Sequence, residues 1–224
     1  MTAPADYFPR IRERLARHGI LLLADEVVSD FGCCGHWLRS QTYGFVPDMM
    51  SIAKDLPSGY MPIAAAVIGD HAYQTIADEA DRIGVFGHGF AYSAHPLTAA
   101  VVAEVLSTYR EMDIPGRAQI LGRHLFDALG ASIASHEMVG EMRGAGFLAG
   151  IELVADTASR TPFDPALKVG ALVGRRCRAH GIMIRNMGDV ISICPPFVMT
   201  PDEIDQLAGG IAAALEDARS ELGK

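Results

Sequence analysis

No apolar run in the 224-residue sequence approaches the ~20 residues that a membrane-crossing helix needs. The opening MTAPADYFPRIRER also lacks the hydrophobic centre of a signal peptide, because charge arrives where that centre should be. Positive charge is scarce. A formal net charge of −8 argues against the basic face that attraction to nucleic-acid phosphates requires. The tight basic group Arg175, Arg176 and Arg178 reads as the solvated side of a helix. Cysteine is sparse too. Four in a chain of this length make no disulfide scaffold, and adjacent Cys33 and Cys34 with isolated Cys177 and Cys194 lack zinc-ligand spacing. No metal is expected, and a reducing cytoplasm fits this usage. Repeats and low-complexity tracts are missing as well.

What is present is a core-forming composition. Hydrophobic residues make up 50% of the chain and charged residues 21%, which disfavours disorder and allows one sizeable core with a smaller second lobe. Tyr7 to His18 reads as a helix with Phe8, Ile11 and Leu15 on one face and Gly19 as its stop. The uninterrupted run Ile20 to Ala24 suits a strand covered on both faces, as in a parallel sheet. Further strands are expected at Met49 to Ala53 and Ile63 to Ile68. A long helix begins at His95-Pro96 and reaches Met112, with Pro115-Gly116 as its breaker, and another runs to His136.

The last third changes character. A strand at Gly146 to Val154 precedes a helix with Asp164 as cap and Pro165 as first residue, closed by Gly181. Short strands follow at Ile182 to Arg185 and Val190 to Cys194. Thr200, Pro201 and Glu203 then spell a capping box for a final helix whose stripe is Ile204, Leu207, Ile211, Ala214 and Leu215. The pattern predicts an α/β chain: part of a mostly parallel α/β domain over residues 1–110, then a smaller α+β domain over 111–224. The first lobe has few strands for a parallel sheet and reads as incomplete.

Open α/β sheets bind ligands beyond the carboxyl ends of their strands. Asp25 and Lys54 both fall at such ends and could converge on one ligand. Taken alone, either side chain after an apolar strand ordinarily just meets water. His88 in a Gly-rich turn, His95 at a helix start and the single Trp37 have structural roles as their simplest explanations.

The longer motifs are more specific. LLLADEVVSDFG, PDMMSIAKDLPSGYMPIAAAVIG and FGHGFAYSAHPLTAAV are followed in order by RGAGFLAGIELV and GIMIRNMGDVISICPPFVMTPDEID. Together with the opening P-x-x-YF-x-x-I, this series resembles the C-terminal half of the class III aminotransferases, pyridoxal-phosphate enzymes of fold type I. The wording is most similar to the ω-amino-acid and amine:pyruvate transaminases. The resemblance implies a fold-type I large domain in part, followed by the small domain.

It also implies a chemistry. Lys54 would form the Schiff base with the aldehyde of pyridoxal 5′-phosphate and later move the substrate proton, since an amine can be both imine partner and base. Asp25 would pair with the ring nitrogen and keep it protonated, which makes the cofactor an electron sink. Val27 would pack on the ring face. Arg185 matches the arginine that grips the substrate carboxylate with two parallel hydrogen bonds. The reaction implied is transfer of an amino group from an amine or amino acid to a 2-oxo acid, in a homodimer.

Three departures bear on this expectation. Class III enzymes are about twice as long, and the phosphate-holding turn at a helix start and the ring-stacking aromatic are not in this sequence. The family's HGFTYSGHP reads HGFAYSAHP here, so Ala91 replaces a threonine whose hydroxyl reaches the phosphate of the partner subunit. The backbone amides of Phe90 and Ala91 remain as donors. A lost charge-assisted hydrogen bond is worth ~1.5–3 kcal/mol. FGRTG reads FGCCG, with Cys33 and Cys34 in place of arginine and threonine. A truncated enzyme is therefore expected, and a non-catalytic remnant, one half of a split enzyme, or a related aminomutase stay open.

Overall fold

The computed structural model describes residues 3, 4 and 6–223. It divides into two compact units, Ala3–Gly116 and Arg117–Lys224.

The first unit opens with helix α1 (Tyr7–Arg17), which leads to strand β1 (Leu23–Asp25). A short helix α2 (Arg39–Thr42) precedes strands β2 (Met49–Ile52) and β3 (Ala65–Ile68). Helices α3 (Asp70–Ile83) and α4 (Pro96–Glu111) follow. β1 and β2 run parallel, with Leu23 opposite Met49 and Asp25 opposite Ser51, while β3 pairs antiparallel to β2. The sheet is thus mixed, and parallel where the candidate site lies.

Asp48 fixes that register. Its carboxylate accepts the Leu22 amide at 2.7 Å and forms a two-point ion pair with Arg12 of α1 (Nη2 to Oδ1, 2.8 Å). The Arg12 guanidinium, helped by the Leu22 amide, holds the Asp48 carboxyl below its usual range. Beside it, Phe8 of α1 stacks on Phe45 at 4.5 Å between centroids. One end of α1 is thereby tied to the segment that enters β2.

Two expectations need correction here. The run Ile20–Ala24 pairs only from Leu22 onward and is not covered on both faces: Ile20 is 52% and Leu23 57% exposed. β3 is exposed along its whole length, while β2 is half-buried. Nor is Pro115-Gly116 the breaker after α4. The chain turns at Asp113, which takes a left-handed φ of 46°, and Pro115 sits in the first turn of the next helix, where a missing amide does no harm. The Asp113 Oδ1 accepts the Gly116 amide at 3.3 Å.

That next helix, α5 (Ile114–Ile133), leads into the second unit. Strands β4 (Val139–Ala145) and β5 (Leu148–Leu153) form a hairpin, followed by helix α6 (Val169–Ala179), strands β6 (Arg185–Met187) and β7 (Val190–Ile193), and helix α7 (Pro201–Glu221). The sheet is antiparallel in the order β4-β5-β7-β6. β5 alternates in burial, and its inward Ile151 and Leu153 meet Leu125, Leu129 and Ile133 of α5 and Ile204, Ile211 and Leu215 of α7 in one core. Gly122 of α5 permits a close approach: a Cβ there would lie 2.0 Å from the Gly146 carbonyl oxygen.

α7 begins as the sequence requires, with Thr200 Oγ1 accepting the Glu203 amide at 3.3 Å and Glu203 accepting the Thr200 amide at 2.7 Å. The helix expected from Pro165 is different. Asp164 caps only a single 3₁₀ turn, Pro165–Leu167, and Lys168 then adopts a left-handed φ of 50°. α6 starts afresh at Val169, and its early Gly170 amide is capped at 2.8 Å by Asp189, from the β6–β7 turn. Among the described residues, no helix is long and apolar enough to cross a membrane.

Candidate functional site

Asp25 is the last residue of β1, and Lys54 follows the last residue of β2 by two positions. Because these strands are neighbours and parallel, both side chains leave the same carboxyl edge of the sheet. Asp25 is exposed and oriented through one oxygen. Its Oδ1 accepts the Ser51 hydroxyl at 3.2 Å and the Val27 amide at 3.1 Å, while its Oδ2 has no hydrogen-bond partner among the described residues. Lys54 is also exposed and makes no ion pair within bonding distance among the described residues. Its backbone is left-handed, φ 42°.

The neighbouring acid, Glu26, does something else. Strand alternation turns it inward, where it is 2% exposed. Its two oxygens accept the Arg39 amide (2.8 Å) and the Ser40 amide (2.7 Å) at the start of α2. Glu26 therefore holds the loop together, and Asp25 alone offers a free carboxylate oxygen.

Sequence reasoning missed the acids beneath Lys54. Asp30 is fully buried; its Oδ2 accepts the Ala53 amide at 3.4 Å, and its Oδ1 has no partner among the described residues. Burial first, and the Asp55 charge second, push its carboxyl up to about 7. Burial also raises Asp55, against the opposing bond from Cys33 Sγ at 3.1 Å and the charge of Lys54. The Tyr109 hydroxyl of α4 donates to the Asp55 carbonyl at 3.0 Å. A carboxylate's burial depends on contacts remote in sequence, so FGCCG announced only a lost arginine and not this cluster.

The remaining candidates lie in other settings. Val27 is half-buried next to Asp25 and supplies the amide already described. Phe90 and Ala91 sit in an exposed turn before α4, where the Phe90 amide is engaged by Ser93 Oγ at 3.0 Å. No hydrogen bond joins that turn to Asp25 or Lys54 among the described residues. His95 is the N-cap residue of α4, and His88 rests edge-on between Phe86 and Phe90. Arg185 opens β6 in the second unit, opposite Ser192, exposed and in no ion pair among the described residues. In the basic group on α6, Arg176 pairs with Glu221. None of the four cysteines is in a disulfide among the described residues, and Cys194 is the exposed one.

This arrangement can do one thing clearly. A primary amine and a carboxylate with a free oxygen, on adjacent strand ends, can hold two points of one planar ligand carrying a carbonyl and a basic ring nitrogen.

Comparison with known proteins gives the same direction. The family model described as "Aminotransferase class-III" matches residues 1–215. An uncharacterized aminotransferase, y4uB, of Sinorhizobium fredii is 39% identical over 221 residues, covering 98% of this chain and 47% of its own. The chloroplastic gamma aminobutyrate transaminase 3 of Solanum lycopersicum is 36% identical over 219 residues, covering 98% of this chain and 42% of its own. Among solved structures, the omega transaminase from Pseudomonas jessenii in complex with PMP superposes with a TM-score of 0.95 at 35% identity, covering all of this chain and 49% of that one. The chain spans about half the length of the curated relatives it matches.

Proposed function

The chain belongs to the class III aminotransferase family, and we propose that it carries the lysine-bearing half of a pyridoxal 5′-phosphate site that moves an amino group from an amine or amino acid to a 2-oxo acid. The observation that carries this reading is the placement of Asp25 and Lys54 on the ends of adjacent parallel strands. When bound, pyridoxal 5′-phosphate supplies an electron sink for the pair left behind as a carbon–hydrogen bond beside the amine breaks.

The residues present fit that group. Asp25 Oδ2 is free to accept a ring N–H, and its bonds from Ser51 and Val27 through Oδ1 keep it aimed. A carboxylate there keeps the proton on the ring nitrogen. Lys54 Nζ would hold the cofactor aldehyde and, once released, would carry away the proton lost from the substrate carbon. Val27 packs against the ring face. Since Ser93 Oγ already engages the Phe90 amide, the Ala91 amide is the donor left in that turn toward a phosphate across a homodimer interface, and Arg185 binds the substrate carboxylate in a planar fork. Residues 1–110 serve as the C-terminal part of the cofactor-binding domain and 111–224 as the small domain. Cysteines outside any disulfide suit a reducing cytoplasm.

A second reading is that the chain is one half of a split enzyme, or a non-catalytic remnant of one. The exposed apolar side chains of Leu23, Val67 and Ile68, on both faces of the first sheet, favour it, because such faces ordinarily lie under further layers of the fold. An aminomutase would use the same two residues. Absorbance of the purified chain with pyridoxal 5′-phosphate separates these ideas. A band absent in Lys54→Ala supports the cofactor site; a band that needs a supplied N-terminal half of a relative supports the split form. No Lys54-dependent band under either condition leaves only the remnant.

A further inference from the structure

Lys54 occupies a strained backbone state between two acids. A non-glycine residue with φ near 42° is strained and persists only where its surroundings fix it. The fixings lie on either side. Before Lys54, the Ala53 amide is bound by Asp30 Oδ2. After it, the Asp55 carbonyl is bound by the Tyr109 hydroxyl, and the Asp55 carboxylate by Cys33 Sγ.

These acids differ in what compensates a negative charge. Glu26, the third acid nearby, has the amides of Arg39 and Ser40. Asp55 has the Cys33 thiol and the Lys54 ammonium. Asp30 has only backbone amides, that of Ala53 at 3.4 Å and its own, and an orphaned oxygen in a fully buried site. The groups that face it are Glu26, Cys33 and Asp55 from the loops, and Tyr109 from α4; none is cationic. A fully buried carboxylate beside a second acid does not ionise without cost.

We propose that Asp30 and Asp55 form an acid pair that positions Lys54 from the two sides of its turn. The inference rests on Lys54 being the cofactor lysine. Ionising Asp30 sets a second negative charge against Asp55 across the Lys54 turn. The turn then loses its fixed geometry, and the lysine ammonium is held more tightly. Lys54 is then presented less well to an aldehyde as the solution passes through neutrality.

The test uses the whole chain with pyridoxal 5′-phosphate as probe, borohydride reduction, and peptide mass analysis. Labelling at Lys54 is read as a ratio to Lys168, so general pH effects cancel. Wild type should show an inflection in this ratio near the Asp30 midpoint of about 7, and Asp30→Asn should show none. The two should agree at about pH 6, and Asp30→Asn should exceed wild type by about threefold near pH 8.5, as expected of one extra charge at moderate separation. Superimposed profiles with Lys54 labelled in both would overturn the pair while leaving the cofactor lysine intact. Absence of label at Lys54 at every pH would remove the cofactor-lysine reading and the pair with it. Should Asp30→Asn fail to fold, carboxyl-carbon NMR titration of the wild-type chain decides. A midpoint near 7 with a coupled step at Asp55 supports the pair, and a midpoint in the ordinary aspartate range overturns it.

Discussion

Ser51 and Asp25 stand opposite each other in the parallel β1–β2 pair, and the serine hydroxyl donates to Asp25 Oδ1 at 3.2 Å. This bond and the Val27 amide orient the carboxylate while leaving Oδ2 to a ligand. Asp25→Asn keeps the shape but loses the charge. Its affinity for pyridoxal 5′-phosphate should fall by roughly ten- to a hundredfold, the worth of ~1.5–3 kcal/mol for a charge-assisted hydrogen bond. Ser51→Ala should lose about fivefold, since a neutral donor is worth about 1 kcal/mol. Titration of cofactor absorbance measures both.

Asp30 makes stability depend on pH. Its carboxyl is raised from 3.8 to about 7, so between these values the folded chain binds the proton that the unfolded chain releases. The stabilisation is complete below the unfolded value and is lost as pH rises through the folded one. Urea denaturation from pH 4 to 8 should therefore show a declining contribution on the order of 3 kcal/mol in wild type. Asp30→Asn should flatten that part of the curve. An identical decline in the variant would show that the slope comes from other groups.

Asp48 works with the opposite sign. Arg12 and the Leu22 amide lower its carboxyl below 3.8, so its contribution is present above the unfolded value and disappears as acid protonates it below that. Arg12 is about a third exposed, at 35%, which screens the pair. Asp48→Asn should cost about 1–2 kcal/mol near neutral pH, most of it from the Leu22 and Arg12 bonds together. The difference between variant and wild type in urea should shrink as pH falls below the unfolded value.

In the second unit, two substitutions separate a local effect from a packing effect. Thr200→Ala removes the cap of α7 and should cost about 1 kcal/mol. Gly122→Ala drives a methyl group to 2.0 Å from the Gly146 carbonyl oxygen, a backbone atom that cannot swing away. That should cost about 1–3 kcal/mol or more by overpacking. Calorimetric melting resolves the two.

The features legible in the sequence are the ones that local chemistry decides. Thr200, Pro201 and Glu203 build their cap within four residues, and α7 forms where they say. Asp25 and Lys54 were found because an apolar run followed by a polar residue marks a strand end. Features set at a distance were not legible. Gly140 and Gly144 disguise β4 as a loop, though its pairing with β5 is continuous through Arg143 and Gly144. Lys168 interrupts the helix expected from Pro165 because Asp189 caps the later start from the β6–β7 turn. Asp30 and Asp55 look like ordinary surface acids in the sequence, and only the fold buries them beside Lys54.

The most direct test of the account is where the cofactor attaches. The chain holds three lysines, Lys54, Lys168 and Lys224, so reduction with borohydride in the presence of pyridoxal 5′-phosphate and peptide mapping gives a simple readout. The account requires the label to concentrate on Lys54 and to be displaced by excess free amine substrate only before reduction. Label spread evenly over the three lysines, or found on Lys168 or Lys224 with Lys54 unmodified, would contradict it.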